Sequence, residues 1–158
     1  MPANAKLYPQ NLWIIFILLL PNILLFFFPA INIPIENSRP DKWSIVLILE
    51  RVGQAAVFIL PLFIKITTDS SCKKYVLAFM IFSVVIYYIC WGRFYFQGRM
   101  FSLMYKNLWI IPIPMAVFPV LYFFAASVLM DSWIYAGASF IFAAGHILES
   151  WYISSHII

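Results

Sequence analysis

Residues 43–65, WSIVLILERVGQAAVFILPLFIK, are the segment of this chain that is most informative about its fold. It is longer than the roughly 20 apolar residues that a helix needs to cross the hydrocarbon core of a membrane. A tryptophan opens the stretch and a lysine closes it, and both residue types anchor spanning helices at the membrane interfaces. The sequence therefore predicts a transmembrane helix from Trp43 to Lys65.

Similar apolar runs lie on both sides of this stretch. With it they predict five spans, at residues 12–30, 43–65, 75–92, 108–130 and 133–152. The chain is 65% hydrophobic and only 10% charged, whereas soluble domains are roughly 45–50% apolar and 25% charged. A water-soluble fold is thereby excluded. The predicted fold is a single all-α domain over residues 1–158, an integral membrane bundle of about five transmembrane helices with short loops.

Prolines lie in three of the predicted spans, the first, the second and the fourth. Pro21, followed by Asn22, lies in the middle of the first span, where it removes a backbone hydrogen bond that a neighbouring helix must replace. Pro112 and Pro114 lie early in the fourth span, whose first half therefore cannot be a regular straight helix. The mixed segment 97–107 predicts a short amphipathic turn along the interface, and the polar segment 36–42 predicts a loop outside the bilayer.

Basic residues flank the apolar runs instead of clustering, a pattern that indicates anchoring in a lipid bilayer and not binding to nucleic acid. We call the side of the N-terminus face A and the opposite side face B. Face A is flanked by Lys6, Lys65, Lys73 and Lys74, and face B by Arg39, Lys42, Arg99 and Lys106. The count is equal, so the positive-inside rule leaves the orientation open. The predicted location is a multi-pass position in the plasma membrane.

Polar and charged residues inside the spans are the most unusual feature of the sequence. The candidates for a ligand-binding site or polar network are Glu50, Arg51, Gln54, Tyr87, Arg93, His146 and Glu149. With five alternating spans the five ionisable candidates, Glu50, Arg51, Arg93, His146 and Glu149, fall in the half of the membrane next to face B. A charge at membrane depth costs at least about 2.5 kcal/mol, so we expect the two glutamates to pair with the two arginines inside the bundle. Whether this cluster binds a ligand or only stabilises the fold stays open.

The spacing of small residues predicts which helix faces meet. In the fifth span Ala136, Ser139, Ala143, His146 and Ser150 follow a three-four spacing. Such a stripe should face protein, because small residues let helix backbones approach closely. Its Ala136, Ser139 and Ala143 portion is also a candidate face for a membrane protein partner or a second copy of the chain. In the second span Glu50, Gly53, Gln54 and Val57 share a face by the same rule.

The sequence contains little that is specific to catalysis or to cofactors. His146 and Glu149 form an H-x-x-E pair, but two candidate ligands do not make a metal site, so no metal and no cofactor are predicted. The catalytic residues stay unknown, because no serine lies in a G-x-S-x-G context and no glycine-rich phosphate loop is present. A proton relay through Glu50 and His146 is chemically reasonable, since histidine titrates near neutrality.

Three functions follow from these residues. The first is a small transporter, a permease-like protein or a ligand-binding membrane protein, with the face B cluster as the site for a small molecule or an ion. The second is a membrane-embedded enzyme that uses Glu50, His146 or Glu149 as acid or base. The third is an accessory or assembly subunit of a membrane complex.

Overall fold

A computed structural model describes residues 6–34, 43–67 and 72–157 of the chain. The helices are α1 (Trp13–Phe27), α2 (Trp43–Ile59), α3 (Lys73–Phe96), α4 (Pro114–Leu129) and α5 (Trp133–Ile157). Short 3₁₀ helices are formed by Pro9–Leu12, Leu60–Leu62 and Phe101–Met104. The described residues form no strand, and helices make up 77% of the chain, so the protein is all-helical as predicted. The predicted loop 36–42 lies outside the described residues.

Three helical segments are long and apolar enough to cross a membrane: Pro9–Phe27, Trp43–Leu62 and Lys73–Phe96. Helix α4 is apolar but has only 16 residues, about 24 Å of helix against a hydrocarbon core of about 30 Å. Helix α5 has 25 residues, but His146 and Glu149 reduce its apolar character. The described residues therefore indicate membrane association through three apolar helices, fewer than the five spans predicted from sequence.

The fourth helix begins later than the predicted span. Leu108 and Ile111 close a tight turn by exchanging backbone hydrogen bonds of 3.1 and 3.0 Å. Ile113 then has a φ of 37°, outside the right-handed helical region. Two prolines in this segment supply no backbone N–H. Helix α4 therefore starts at Pro114 and not near residue 108, whereas α5 continues past the predicted end at 152 to Ile157.

Helices α2 and α5 run antiparallel and form the most extensive contact between helices among the described residues. A Cβ atom on Gly53 would collide with the backbone of Phe142, and one on Gly145 would collide with the backbone of Glu50. Glycine permits this approach because it has no side chain between the two helices. Val57 is fully buried on the same side of α2, as the sequence spacing predicted.

Helix α3 replaces the hydrogen bond that Pro21 removes from α1. The carbonyl of Ile17, which a residue other than proline at position 21 would bond, accepts a hydrogen bond from the Tyr88 hydroxyl at 2.6 Å. The carbonyl of Pro21 itself accepts one from the Tyr95 hydroxyl at 2.8 Å. The predicted accommodation of the proline by a neighbouring helix therefore occurs through tyrosine side chains.

Candidate functional site

The pair Glu50 and His146 lies at the contact between α2 and α5. Atom Nδ1 of His146 is 2.8 Å from Oε1 of Glu50, and both side chains are largely buried, with exposed fractions of 26% and 16%. The imidazole also stacks on the ring of Phe142, with centroids 4.8 Å apart. Because Gly145 lets the two backbones touch, the next residue, His146, comes within reach of the carboxylate. Glu50 and His146 therefore form a direct side-chain contact between the two helices.

Glu149 lies three residues further along α5, in a different contact. Its Oε2 atom accepts a hydrogen bond of 2.7 Å from the indole N–H of Trp43, at the start of α2. The Trp43 ring also packs on the ring of Tyr152, with centroids 4.4 Å apart. The two residues of the H-x-x-E pair therefore contact different residues of α2: His146 contacts Glu50, and Glu149 contacts Trp43. No group of three metal-ligating side chains forms among residues 6–34, 43–67 and 72–157.

Arg93, near the end of α3, binds backbone and not a glutamate. Its guanidinium donates to the carbonyls of Leu103, Lys106 and Asn107 at 3.1, 2.7 and 2.8 Å. A planar guanidinium has five donors in a fixed fork, which suits several acceptors at once. Arg93 therefore holds the segment that links α3 to α4.

Arg51, the other arginine among the predicted site residues, is exposed on the surface of α2.

A small cavity of about 100 Å³ lies among four of the helices, beside the segment that Arg93 holds. It is lined by Asn22, Tyr87, Trp91, Met104, Tyr105, Ile113, Met115, Ala116, His146 and Ser150. Two of the predicted site residues, Tyr87 and His146, therefore line one cavity. Glu50 contacts it through His146, whereas Gln54, half-buried on α2, is not among its lining residues.

Asn22 and Ser150 line the cavity but were not among the site candidates predicted from sequence, although Ser150 belongs to the small-residue stripe of the fifth span. The Asn22 amide donates to the Tyr87 hydroxyl at 2.8 Å and to the Leu18 carbonyl at 2.9 Å, which places α1 against α3 at the cavity. Ser150 follows His146 by one helical turn, so its side chain faces the same way. The four-residue spacing between His146 and Ser150 was the signal in the sequence that could have placed Ser150 in the site.

Several polar groups of the cavity are not used inside the chain. Ser150 is only 6% exposed, and its hydroxyl makes no hydrogen bond with any described residue. Within the same part of the chain, Nε2 of His146 and Oδ1 of Asn22 have no partner either. The buried indole N–H of Trp91 has no hydrogen-bond partner in the described part of the chain. Polar groups from α1 and α5 thus remain available to an occupant.

The comparisons with known proteins give no relative for this chain: no family model, no curated protein and no solved structure matches it. Any assignment of function therefore depends on the geometry of the cavity and of the residues around it.

Proposed function

We propose that the protein is a multi-pass membrane protein with five spanning helices, and that it binds a small polar solute in the cavity between α1, α3 and α5. A permease-like or transporter-like role agrees best with such a site. The observation that carries the proposal is the convergence of Asn22, Tyr87, His146 and Ser150 on one cavity in a chain that is otherwise strongly apolar. Polar groups inside a membrane are costly, and they commonly mark a substrate or ion pathway.

The positions of the helix ends support five spans. The Thr67 hydroxyl, in the segment after the 3₁₀ helix Leu60–Leu62, donates a hydrogen bond of 3.5 Å to the carbonyl of Met130, just after α4. At the other end of α2, Trp43 bonds Glu149 near the end of α5. Helix α5 therefore extends over the depth of the segment Trp43–Leu62, which is apolar and long enough to cross a membrane, and α4 ends on the side where that segment ends.

Side-specific labelling tests the five spans. In the five-span arrangement the exposed turn residue Asp131 lies on face A with the exposed native Cys72, and Lys106 lies on face B. If only α1, α2 and α3 crossed, Asp131 would share a side with Lys106. We expect an impermeant maleimide on sealed vesicles to label native Cys72 from one side, Asp131→Cys in a Cys72→Ser background from that same side, and Lys106→Cys in the Cys72→Ser background from the other. Joint labelling of the Asp131→Cys and Lys106→Cys variants would contradict five spans.

Cysteine reactivity tests the site itself. Ser150→Cys and Ser139→Cys are compared in a Cys72→Ser, Cys90→Ser background, with methyl methanethiosulfonate as the reagent. Ser150 lines the cavity, whereas Ser139, on the same helix, is fully buried. The reagent attacks the thiolate, which burial in apolar surroundings suppresses. We expect Ser150→Cys to react about tenfold faster or more. Equally slow reactions would mean that the cavity is dry and is not a solute site.

Membrane-embedded catalysis is the second candidate, favoured by the order Glu50, His146, Ser150. A carboxylate that orients a histidine beside a serine hydroxyl is the arrangement of an acyl-transfer site. No hydrogen bond joins Ser150 to His146 in the described part of the chain, which ranks this function below solute binding. A fluorophosphonate probe distinguishes the two, because labelling that disappears in Ser150→Ala would establish a nucleophilic serine.

A further inference from the structure

An open groove of about 400 Å³ lies between α3 and α4. The described residues that line it are aliphatic or aromatic: Tyr75, Val76, Phe79, Leu121, Phe124, Ala125 and Val128. None of them lines the polar cavity of the proposed solute site. The groove is therefore a second, separate surface, and apolar surfaces of this kind mark sites for lipids or other apolar partners.

The groove is elongated along the two helices. On α4 its residues follow the spacing i, i+3, i+4, i+7 from Leu121 to Val128, which places them on one face over about 10 Å. Tyr75 and Phe79, one turn apart on α3, form the opposite wall and are 67% and 42% exposed. Ala125, within the α4 face, has only a methyl side chain and so leaves space between the walls. This shape suits an extended hydrocarbon chain.

Two lysines lie at the end of the groove where α3 begins. Helix α3 starts with Lys73 and Lys74, and Nζ of Lys74 lies 5.0 Å from the centre of the Tyr75 ring, which forms part of the groove wall. Both lysines are exposed, and neither forms an ion pair with a described residue. Because they precede an apolar helix that is long enough to cross a membrane, they lie at the depth of the lipid headgroups.

The charge at this end of the groove favours an anionic headgroup. No acidic residue occurs among the described residues of the lining, and the N-terminus of α3 adds the positive end of its helix dipole. One lysine near an anionic lipid surface increases affinity by about fivefold. A zwitterionic headgroup has no net charge and gains little from the two lysines.

From the apolar groove and the two lysines at its end, we propose that this surface binds an anionic phospholipid. One acyl chain lies in the groove between α3 and α4, and the phosphate of the headgroup lies against Lys73 and Lys74. The groove and the polar cavity share no lining residue. The lipid site is therefore independent of the proposed solute site, and either can fail without the other.

Lipid titration by native mass spectrometry tests the proposal on the purified full chain in a mild non-ionic detergent. Dioleoyl phosphatidylglycerol and dioleoyl phosphatidylcholine are compared, because they have the same chains and differ in headgroup charge. We expect phosphatidylglycerol to bind about 25-fold more tightly, which is the combined effect of two lysines. Equal affinity for the two lipids would overturn the proposal.

Paired lysine variants locate the headgroup. Lys73→Gln combined with Lys74→Gln should reduce the affinity for phosphatidylglycerol to that for phosphatidylcholine. Lys6→Gln combined with Lys65→Gln removes the same charge from the same predicted face, at residues that do not line the groove, and should leave the preference intact. Equal losses in the two pairs would mean attraction by the whole face, and would overturn a site at α3.

A variant that fills the groove tests the position of the chain. Ala125→Leu should weaken the binding of both lipids about tenfold, the effect of losing contact with roughly two methylene groups. Ala78→Leu, at an exposed position of α3 outside the groove, should not. Unchanged binding in Ala125→Leu would place the chain elsewhere and overturn the proposal.

Competition by sn-glycerol 1-phosphate provides a test that does not depend on the folding of Ala125→Leu. This compound carries the phosphate but no acyl chain. At a concentration equal to that of phosphatidylglycerol we expect it to displace none of the bound lipid. Displacement would indicate a phosphate site that needs no chain, and would overturn the assignment of the groove to a phospholipid.

Discussion

Gly145 of α5 lies directly against the backbone of Glu50 of α2, with no room for a side chain between them. One turn away the relationship is reversed, since Gly53 of α2 lies against the backbone of Phe142 of α5. The two glycines hold the helices at a distance at which the short His146 side chain reaches the Glu50 carboxylate. The close contact between α2 and α5 and the Glu50–His146 pair are therefore one structural feature.

Replacing Gly145 by alanine should destabilise the protein. The added Cβ would lie within 3.0 Å of backbone atoms of Glu50, and backbone cannot move away without separating the helices. We expect the free energy of unfolding to fall by about 1–3 kcal/mol, measured by denaturant titration in detergent. Gly137→Ala, on the same helix with nothing within 4 Å, should leave it unchanged or raise it by up to about 1 kcal/mol. Similar effects of the two substitutions would show that the helices are not in close contact at Gly145.

The Glu50–His146 contact should appear as a coupling energy. In a double-mutant cycle of Glu50→Gln and His146→Gln, we expect coupling of about 1 kcal/mol, within the range found for hydrogen bonds between membrane helices. Arg51→Gln, at the adjacent exposed position, should change stability little. Strictly additive effects would mean that the pair does not stabilise the fold, and would favour a purely functional reason for its presence.

The Tyr88 hydroxyl should matter only while Pro21 is present. Tyr88→Phe leaves the Ile17 carbonyl without its donor, which should cost about 1–3 kcal/mol of unfolding free energy. In a Pro21→Ala background the cost should decrease towards zero, because the alanine N–H can bond that carbonyl within α1. Tyr75→Phe, at an exposed position on the same helix as Tyr88, serves as the control. An equal cost in both backgrounds would exclude the proline as the cause.

Arg93→Lys should loosen the segment between α3 and α4. A lysine ammonium cannot reproduce the fork that contacts three carbonyls, and bonds from charged donors contribute about 1.5–3 kcal/mol. We expect faster hydrogen exchange in peptides covering residues 103–107, with exchange in α2 unchanged. In Arg99→Lys, where the native side chain bonds no described residue, exchange should stay as in the unmodified protein. Unchanged exchange in both variants would contradict this role of Arg93.

The site was predictable from sequence only in part. Glu50 and His146 were recognisable because ionisable residues are rare in apolar runs, and their helix faces followed from spacing. Their mutual pairing was not, since the expected partners of the glutamates were arginines. Arg93 instead satisfies backbone carbonyls that the irregular segment after α3 leaves without helical partners. Asn22 and Ser150 are ordinary polar residues in sequence, and only the packing of α1 and α5 brings them to one cavity.

The helical class and the apolar runs that associate with a membrane follow from local sequence, because the length, apolarity and periodicity of a run are local properties. The start of α4 depends on the folded structure, because the backbone turn at Leu108 and Ile111 is not visible in composition. The folded structure also decides which side chains meet. Glu50 and His146 are 96 residues apart, and Trp43 and Glu149 are 106 apart. Such contacts exist only because Gly53 and Gly145 let two distant helices approach closely enough for their side chains to reach each other.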